Sequence, residues 1–238
     1  LFCALCLAHA QAAAPTFDEA PAGTGTVVGD PALFTSYASA VAGATLEIAI
    51  RVNGTGDNVV GCSDSTNGAW TEVAQADNGA ANFQVWRFYN SASGAIAGVQ
   101  CDLTSSLTYR GVSTAYTGAE TASAIEAITT GTFASTTSVT TSNIVTTYTD
   151  ELTLCHIALD GNSTIDPESS ENERTETSTR VQEQDKDATA AGTFTHSWTL
   201  GTAAAGSYIC FGLKSTTSVL SGGFNPILGP TSLPGSVQ

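Results

Sequence analysis

The feature that most constrains this chain is a recurring pattern of short β-branched and aromatic runs between clusters of Gly, Asn, Asp and Ser, with almost no helical periodicity. The run Thr45-Leu46-Glu47-Ile48-Ala49-Ile50-Arg51-Val52 shows it most clearly. A strand turns successive side chains to opposite faces, so Leu46, Ile48, Ile50 and Val52 share one face while Glu47 and Arg51 share the other. The first face is expected to pack and the second to meet water. Similar runs predict strands over 33–38, 58–63, 69–74, 82–89, 95–103, 107–116, 151–158, 194–200 and 207–214. Together they predict an all-β fold, an antiparallel β-sandwich of jelly-roll-like form with at most one short helix.

Local signals refine this picture. Asn67-Gly68 suits the two positive-φ positions of a tight hairpin, so 58–63 and 69–74 are expected to pair across it. Thr117-Gly118-Ala119-Glu120 has the spacing of a capping box ahead of an Ala-rich stretch, which places the one short helix there. The Thr- and Ser-rich segment 129–149 reads as strand plus loop. The charge-dense block 166–187 reads as a solvated loop or an edge hairpin. The domain organisation expected is an apolar N-terminal arm or signal remnant over 1–20, a β-sandwich domain over 21–214 and a Gly/Pro/Ser-rich tail over 215–238.

The chain has 238 residues, long enough to bury a sizeable core without staples. With 7 Lys and Arg against 22 Asp and Glu, its formal net charge is -15. That balance lacks the cationic footprint that neutralises phosphates, which argues against nucleic acid as a partner. The apolar start LFCALCLAHA is too short for a membrane span. It ends in an A-x-A pattern like that of a secretory signal, and it also suits an arm in which Leu1, Phe2, Leu5 and Leu7 bind a neighbouring subunit. Cys3 and Cys6 form a C-x-x-C with no second ligand pair at zinc spacing. Cys62, Cys101, Cys155 and Cys210 each lie in an apolar run, where small buried hydrophobes are favoured over disulfides.

No common catalytic or nucleotide-binding signature occurs, and no catalytic residue or firm cofactor is assigned. Cys155 and His156 are adjacent in a strand and point to opposite faces, so they form no catalytic couple. His196 shares a face with Trp198 and is expected to pack there. The best ligand-type signal is a weak calcium candidate made of Asp160, Asn162, Thr164, Asp166, Glu168 and Glu171, since oxygen ligands at alternate positions suit a hard cation. Ile165 stands where an EF-hand loop needs Gly, and a polar strand-to-loop turn is the favoured reading of the segment. Trp70 and Trp198 are candidates for stacking on a surface glycan. Nothing singles out two acids as a hydrolase pair.

The order of segments, LEIAIRV, CSDSTNGAWTEVA, NFQVWRFYN, STAYTGAE and HSWTLGTAAAGSYICFGLK, resembles β-sandwich (jelly-roll-like) modules of phage virion surface proteins and bacterial secreted proteins. The resemblance spans about residues 30 to 214, although the N-G order of the hairpin departs from the G-N order usual there. It implies a jelly-roll-like sandwich with a non-enzymatic role at a particle or cell surface, and the favoured reading is a structural or decoration protein on the surface of a virion, of the tailed-phage kind, joined to itself and to other virion subunits. The alternative is a secreted carbohydrate-binding or adhesive module. The resemblance carries over no functional residues.

Overall fold

The structure is a computed structural model that describes residues 13–21, 24–34, 37, 41–89, 91, 95–177 and 180–216. The first half of the chain forms β1 (Thr16–Glu19), β2 (Thr24–Gly29), β3 (Ala32–Leu33), β4 (Thr45–Asn53), β5 (Val59–Asp64), β6 (Gly68–Ala69), β7 (Thr71–Asp77), β8 (Ala81–Phe88), β9 (Gln100–Leu103) and β10 (Leu107–Thr117). The second half forms β11 (Ile125–Thr140), β12 (Ile144–Thr146), β13 (Glu151–Leu159), β14 (Ile165–Pro167), β15 (Asn172–Thr177), β16 (Val181–Ala188), β17 (Gly192–Phe194) and β18 (Ser197–Leu213). The fold is an all-β sandwich, every strand pair within it is antiparallel, and no helix occurs among the described residues.

Strand order divides the molecule into layers. The outer sheet runs β3-β9-β5-β6 and the middle sheet β1-β10-β4-β8-β7, with β2 also on β10. The C-terminal sheet runs β11-β18-β13-β16-β15, with β14 on β18, and β12 pairs with β17 as a separate ribbon. Three apolar cores fill the spaces between them. Leu46, Ile48, Ile50 and Val52 of β4 meet Cys62, Trp70 and Cys101 beneath the outer sheet. Ala49, Phe83, Val85 and Val112 of the middle sheet meet Leu154, Ile209 and Phe211 of the C-terminal sheet. On the far face of that sheet, Ile157, Trp198 and Tyr208 pack with Ile144 and Phe194 of the ribbon.

The middle sheet is therefore covered on both faces, which corrects the expectation of a wet side on β4. Period-two alternation gives the two faces of a strand correctly, but it does not say that a second sheet lies over the charged one. Glu47 is fully buried and Arg51 only 5% exposed.

Three further expectations change. The Asn67-Gly68 turn forms, with Gly68 at φ 87° and Asp64 opposite it, but the hairpin is only two residue pairs long. Trp70 then enters the core and the chain crosses to the middle sheet as β7, beside β8. The helix expected after Thr117 is absent. Gly118 takes φ 76°, Glu120 pairs with Lys214 at 3.0 Å instead of capping a helix, and β11 begins at Ile125. Of the runs 194–200 and 207–214, Phe194 belongs to β17 while 197–200 and 207–213 fall in one continuous strand, β18, along which Ala204 and Gly206 remain paired to β11. Gly206 is needed at that crossing, since a Cβ there would overlap the Ala158 carbonyl oxygen.

The four body cysteines are paired, contrary to the reading as free buried thiols. Cys62 faces Cys101 across β5 and β9, and Cys155 faces Cys210 across β13 and β18, each forming a disulfide. Strand register is what sequence spacing could not supply. The two bridges close segments separated by 39 and 55 residues, so opening either should destabilise the fold by about 2 to 5 kcal/mol. Urea melts of the oxidised chain and of Cys62→Ala/Cys101→Ala and Cys155→Ala/Cys210→Ala double variants check this as lowered midpoints.

Candidate functional site

The facing surfaces of the middle and C-terminal sheets carry a cluster of ionisable groups. Glu47 projects from β4, Arg87 from β8, His156 from β13 and Glu183 from β16, and all four side chains are fully buried. Alternation places them there: Glu47 shares its face with Ala49, Arg87 with Val85, and His156 with Leu154, all of which line the central core. Arg87 pairs with Glu47 and stacks its guanidinium over Phe211 at 4.5 Å. His156 Nε2 contacts Glu47 Oε1 and lies 3.1 Å from Glu183 Oε2. The imidazole stacks on Phe211 at 5.7 Å, and its Nδ1 is 3.4 Å from the Ile209 carbonyl oxygen.

Hydroxyl donors complete the surroundings of Glu183. Tyr116 OH donates to Oε1 at 2.6 Å, and Thr114 Oγ1 lies 2.8 Å from Oε2. Burial alone would raise the Glu183 carboxyl, but the His156 charge and the bonds from His156, Tyr116 and Thr114 outweigh it and hold the group below its ordinary value. Burial lowers Arg87 to about 10, so it stays charged at neutral pH. Burial, then the charges of Glu183 and Asp185, push the Tyr116 hydroxyl well up, which keeps it a neutral donor. One oxygen each of Glu47 and Glu183 and Nε2 of His156 all lie within 4.8 Å of one another, which is metal-ligand spacing. Solvent does not reach these atoms, so no substrate meets them in this arrangement.

A second polar constellation lies on the far face of the C-terminal sheet. His196 Nε2 is 3.1 Å from Thr153 Oγ1, and its Nδ1 is 3.2 Å from Gln184 Nε2 and 3.5 Å from Glu171 Oε1. Burial, then the charges of Lys186 and His156, pull His196 down to about 3, so the ring is neutral. Gln184 Nε2 can only donate, which makes Nδ1 the acceptor and leaves Nε2–H to donate to Thr153. Burial pushes Glu171 up to about 7. His196 stacks on Trp198 at 6.5 Å, as its place two residues away predicts.

The sequence-derived candidates are dispersed. Asp160 accepts from Arg51 at 3.0 Å and from Asn78 at 2.8 Å, and Asn162 accepts from Arg180 at 2.7 Å. Asp166 is exposed on β14 beside Thr164, Glu168 follows that strand, and Glu171 is enclosed with Gln184 and His196. Among the described residues, Asp160, Asp166, Glu168 and Glu171 supply no group of three carboxylates at ligand spacing. Trp70 and Trp198 are 5% and 1% exposed, so neither offers a ring face to a glycan. Trp70 instead donates through Nε1 to Asp64 at 2.8 Å. Leu1, Phe2, Leu5 and Leu7 lie outside the described residues. The block 166–187 does form an edge hairpin, β15 and β16, yet it is not simply solvated, because Glu183 and Asp185 are fully buried. Arg174 satisfies Asp185 from the edge strand.

Sequence reasoning passed over Glu47, Arg87, His156 and Glu183 as a group. The available signal was charge inside strand runs, where only a partner makes burial affordable. No known family, curated protein or solved structure matches the chain. No helix among the described residues is long and apolar enough to cross a membrane.

Arg87→Met leaves Glu47 buried without its cation and should destabilise the fold by about 3 to 5 kcal/mol, read from urea unfolding. Glu151 of β13 is pushed from 4.5 to about 9 by burial and then by the neighbouring Glu126 carboxyl. Its folded pKa exceeds its unfolded one, so unfolding releases a proton and stability falls as pH rises between those values. Glu171 adds a similar loss ending near 7. Melting temperatures from pH 5 to pH 9 should therefore decline, and Glu151→Gln should flatten the part of the decline above neutrality.

Proposed function

We propose that this chain is a non-enzymatic structural or decoration protein displayed on the surface of a virion, of the tailed-phage kind, and joined to neighbouring subunits through its β body. One observation carries the reading. β11 forms an edge of the C-terminal sheet and pairs on one side only among the described residues. Between Thr129 and Phe133 its register with β18 is regular, and from Ile128 to Thr140 it holds no Lys, Arg, Asp, Glu or Pro. Soluble β proteins blunt such an edge with charge, Pro or a bulge, since its free N–H and C=O groups template a further strand; β11 bulges on either side of Thr129–Phe133, which leaves that stretch as the regular and uncharged part of the edge. An uncharged edge in a chain of net charge -15 supports a partner strand laid along it.

A secreted carbohydrate-binding or adhesive module is the second reading, and the two disulfides favour it, because such bonds persist in oxidising surroundings. Burial of Trp70 and Trp198 weighs against a tryptophan platform for glycans.

Thr130→Lys/Thr132→Lys places two charges at exposed positions of the regular stretch. Sedimentation should show the wild type assembled or bound to particles and the variant monomeric, with stability changed by only about 0.5 kcal/mol. The added charge lowers net repulsion between copies, so loss of assembly would report the edge itself. A wild type that stays monomeric, leaves particles unbound and binds immobilised glycan would replace this reading with the adhesive one.

A further inference from the structure

His156 fixes the chemistry of the buried cluster. Its Nδ1 faces the Ile209 carbonyl oxygen, which can only accept, so Nδ1 carries a hydrogen and Nε2 is the ring nitrogen turned toward Glu47 and Glu183. Three atoms able to ligate, His156 Nε2, Glu47 Oε1 and Glu183 Oε2, therefore lie within 4.8 Å of one another in an enclosed place. Arg87 balances only one of the two buried carboxylates, so the pair calls for a second positive charge beside it.

We propose that Glu47, His156 and Glu183 ligate a first-row divalent transition metal ion, of the Zn²⁺ class, between the middle and C-terminal sheets. Each ligand offers one atom inward while its other polar atom is held from behind. Arg87 holds Glu47 Oε2, Tyr116 holds Glu183 Oε1, and the Ile209 carbonyl holds His156 Nδ1. That outer ring of partners is how proteins orient metal ligands and set the tautomer of a ligating histidine.

A proton on Nε2 is the competing occupant. It would bond along a single N–H direction, whereas Nε2 of β13 lies beside a carboxylate oxygen from β4 and another from β16, which suits an ion forming several bonds. One imidazole and two carboxylates fit Zn²⁺ and its neighbours, while Ca²⁺ requires six to eight oxygens. Among the described residues no fourth His, Cys, Asp or Glu joins the group, so water completes the four-coordinate shell that Zn²⁺ prefers. The site is closed to solvent, and the ion's role is to tie two sheets together.

The test uses the full oxidised chain, unfolded with its disulfides intact and refolded either in excess Zn²⁺ or in a chelator, then desalted. Refolding in Zn²⁺ should retain about one ion per chain and raise the melting temperature by roughly 10 °C over the chelator-treated sample. Refolding in Co²⁺ should give the intense visible bands of a low-coordinate site. Glu183→Gln and His156→Asn should lose the bound ion, while Asp166→Asn/Glu168→Gln on the exposed block should keep it. Wild-type chain refolded in Zn²⁺ without stoichiometric metal overturns the proposal, as does unchanged binding in Glu183→Gln. Should the site variants fail to fold, wild-type stoichiometry and the Co²⁺ spectrum decide alone, and a weak octahedral spectrum counts against the site.

Discussion

Two carboxylates, a guanidinium and an imidazole meet in a space from which water is excluded, with a sheet above and a sheet below. Each ionised group costs several kcal/mol to bring out of water, and only its partners offset that cost. β4, β8, β13 and β16 must therefore reach their final register together, because a one-residue slip would turn Glu47 or His156 to the wrong face. Apolar contacts such as Val85 against Phe211 supply the bulk of the attraction between the sheets. The ionic group supplies what apolar packing lacks, a unique alignment of one sheet on the other.

The same constraint explains why a block so rich in charge holds an interior strand. Along β16, Val181, Glu183 and Asp185 share one face, and Glu183 and Asp185 look toward the middle sheet. Asp185 is answered by Arg174 of the adjacent edge strand, whose guanidinium also lies 4.7 Å over Phe17. Charge density in sequence signalled solvent here, whereas in space each buried acid has its own donor.

Much of the fold was legible in the residues. Alternation located β4, β8, β10 and β13 to within about a residue or two, and Asn67-Gly68 marked a real turn. Periodicity reports the two faces of a strand but not how many sheets cover it, so Glu47 and Arg51 read from sequence as solvent-facing. The disulfides were equally hidden, since pairing depends on register between strands 39 and 55 residues apart. The candidate site was the least legible part. Glu47, His156 and Glu183 come from segments far apart in the chain, and nothing local to any one of them names the other two.

The placement of the disulfides has a mechanical consequence. Each joins neighbouring strands of a single sheet, β5 to β9 in one and β13 to β18 in the other. The described bridges thus resist the peeling of strands within a layer and leave the layers free of covalent cross-links to one another. A force pulling the C-terminal sheet sideways across the middle sheet would be borne by the central core and its ionic group, as at a slip plane between two reinforced plates.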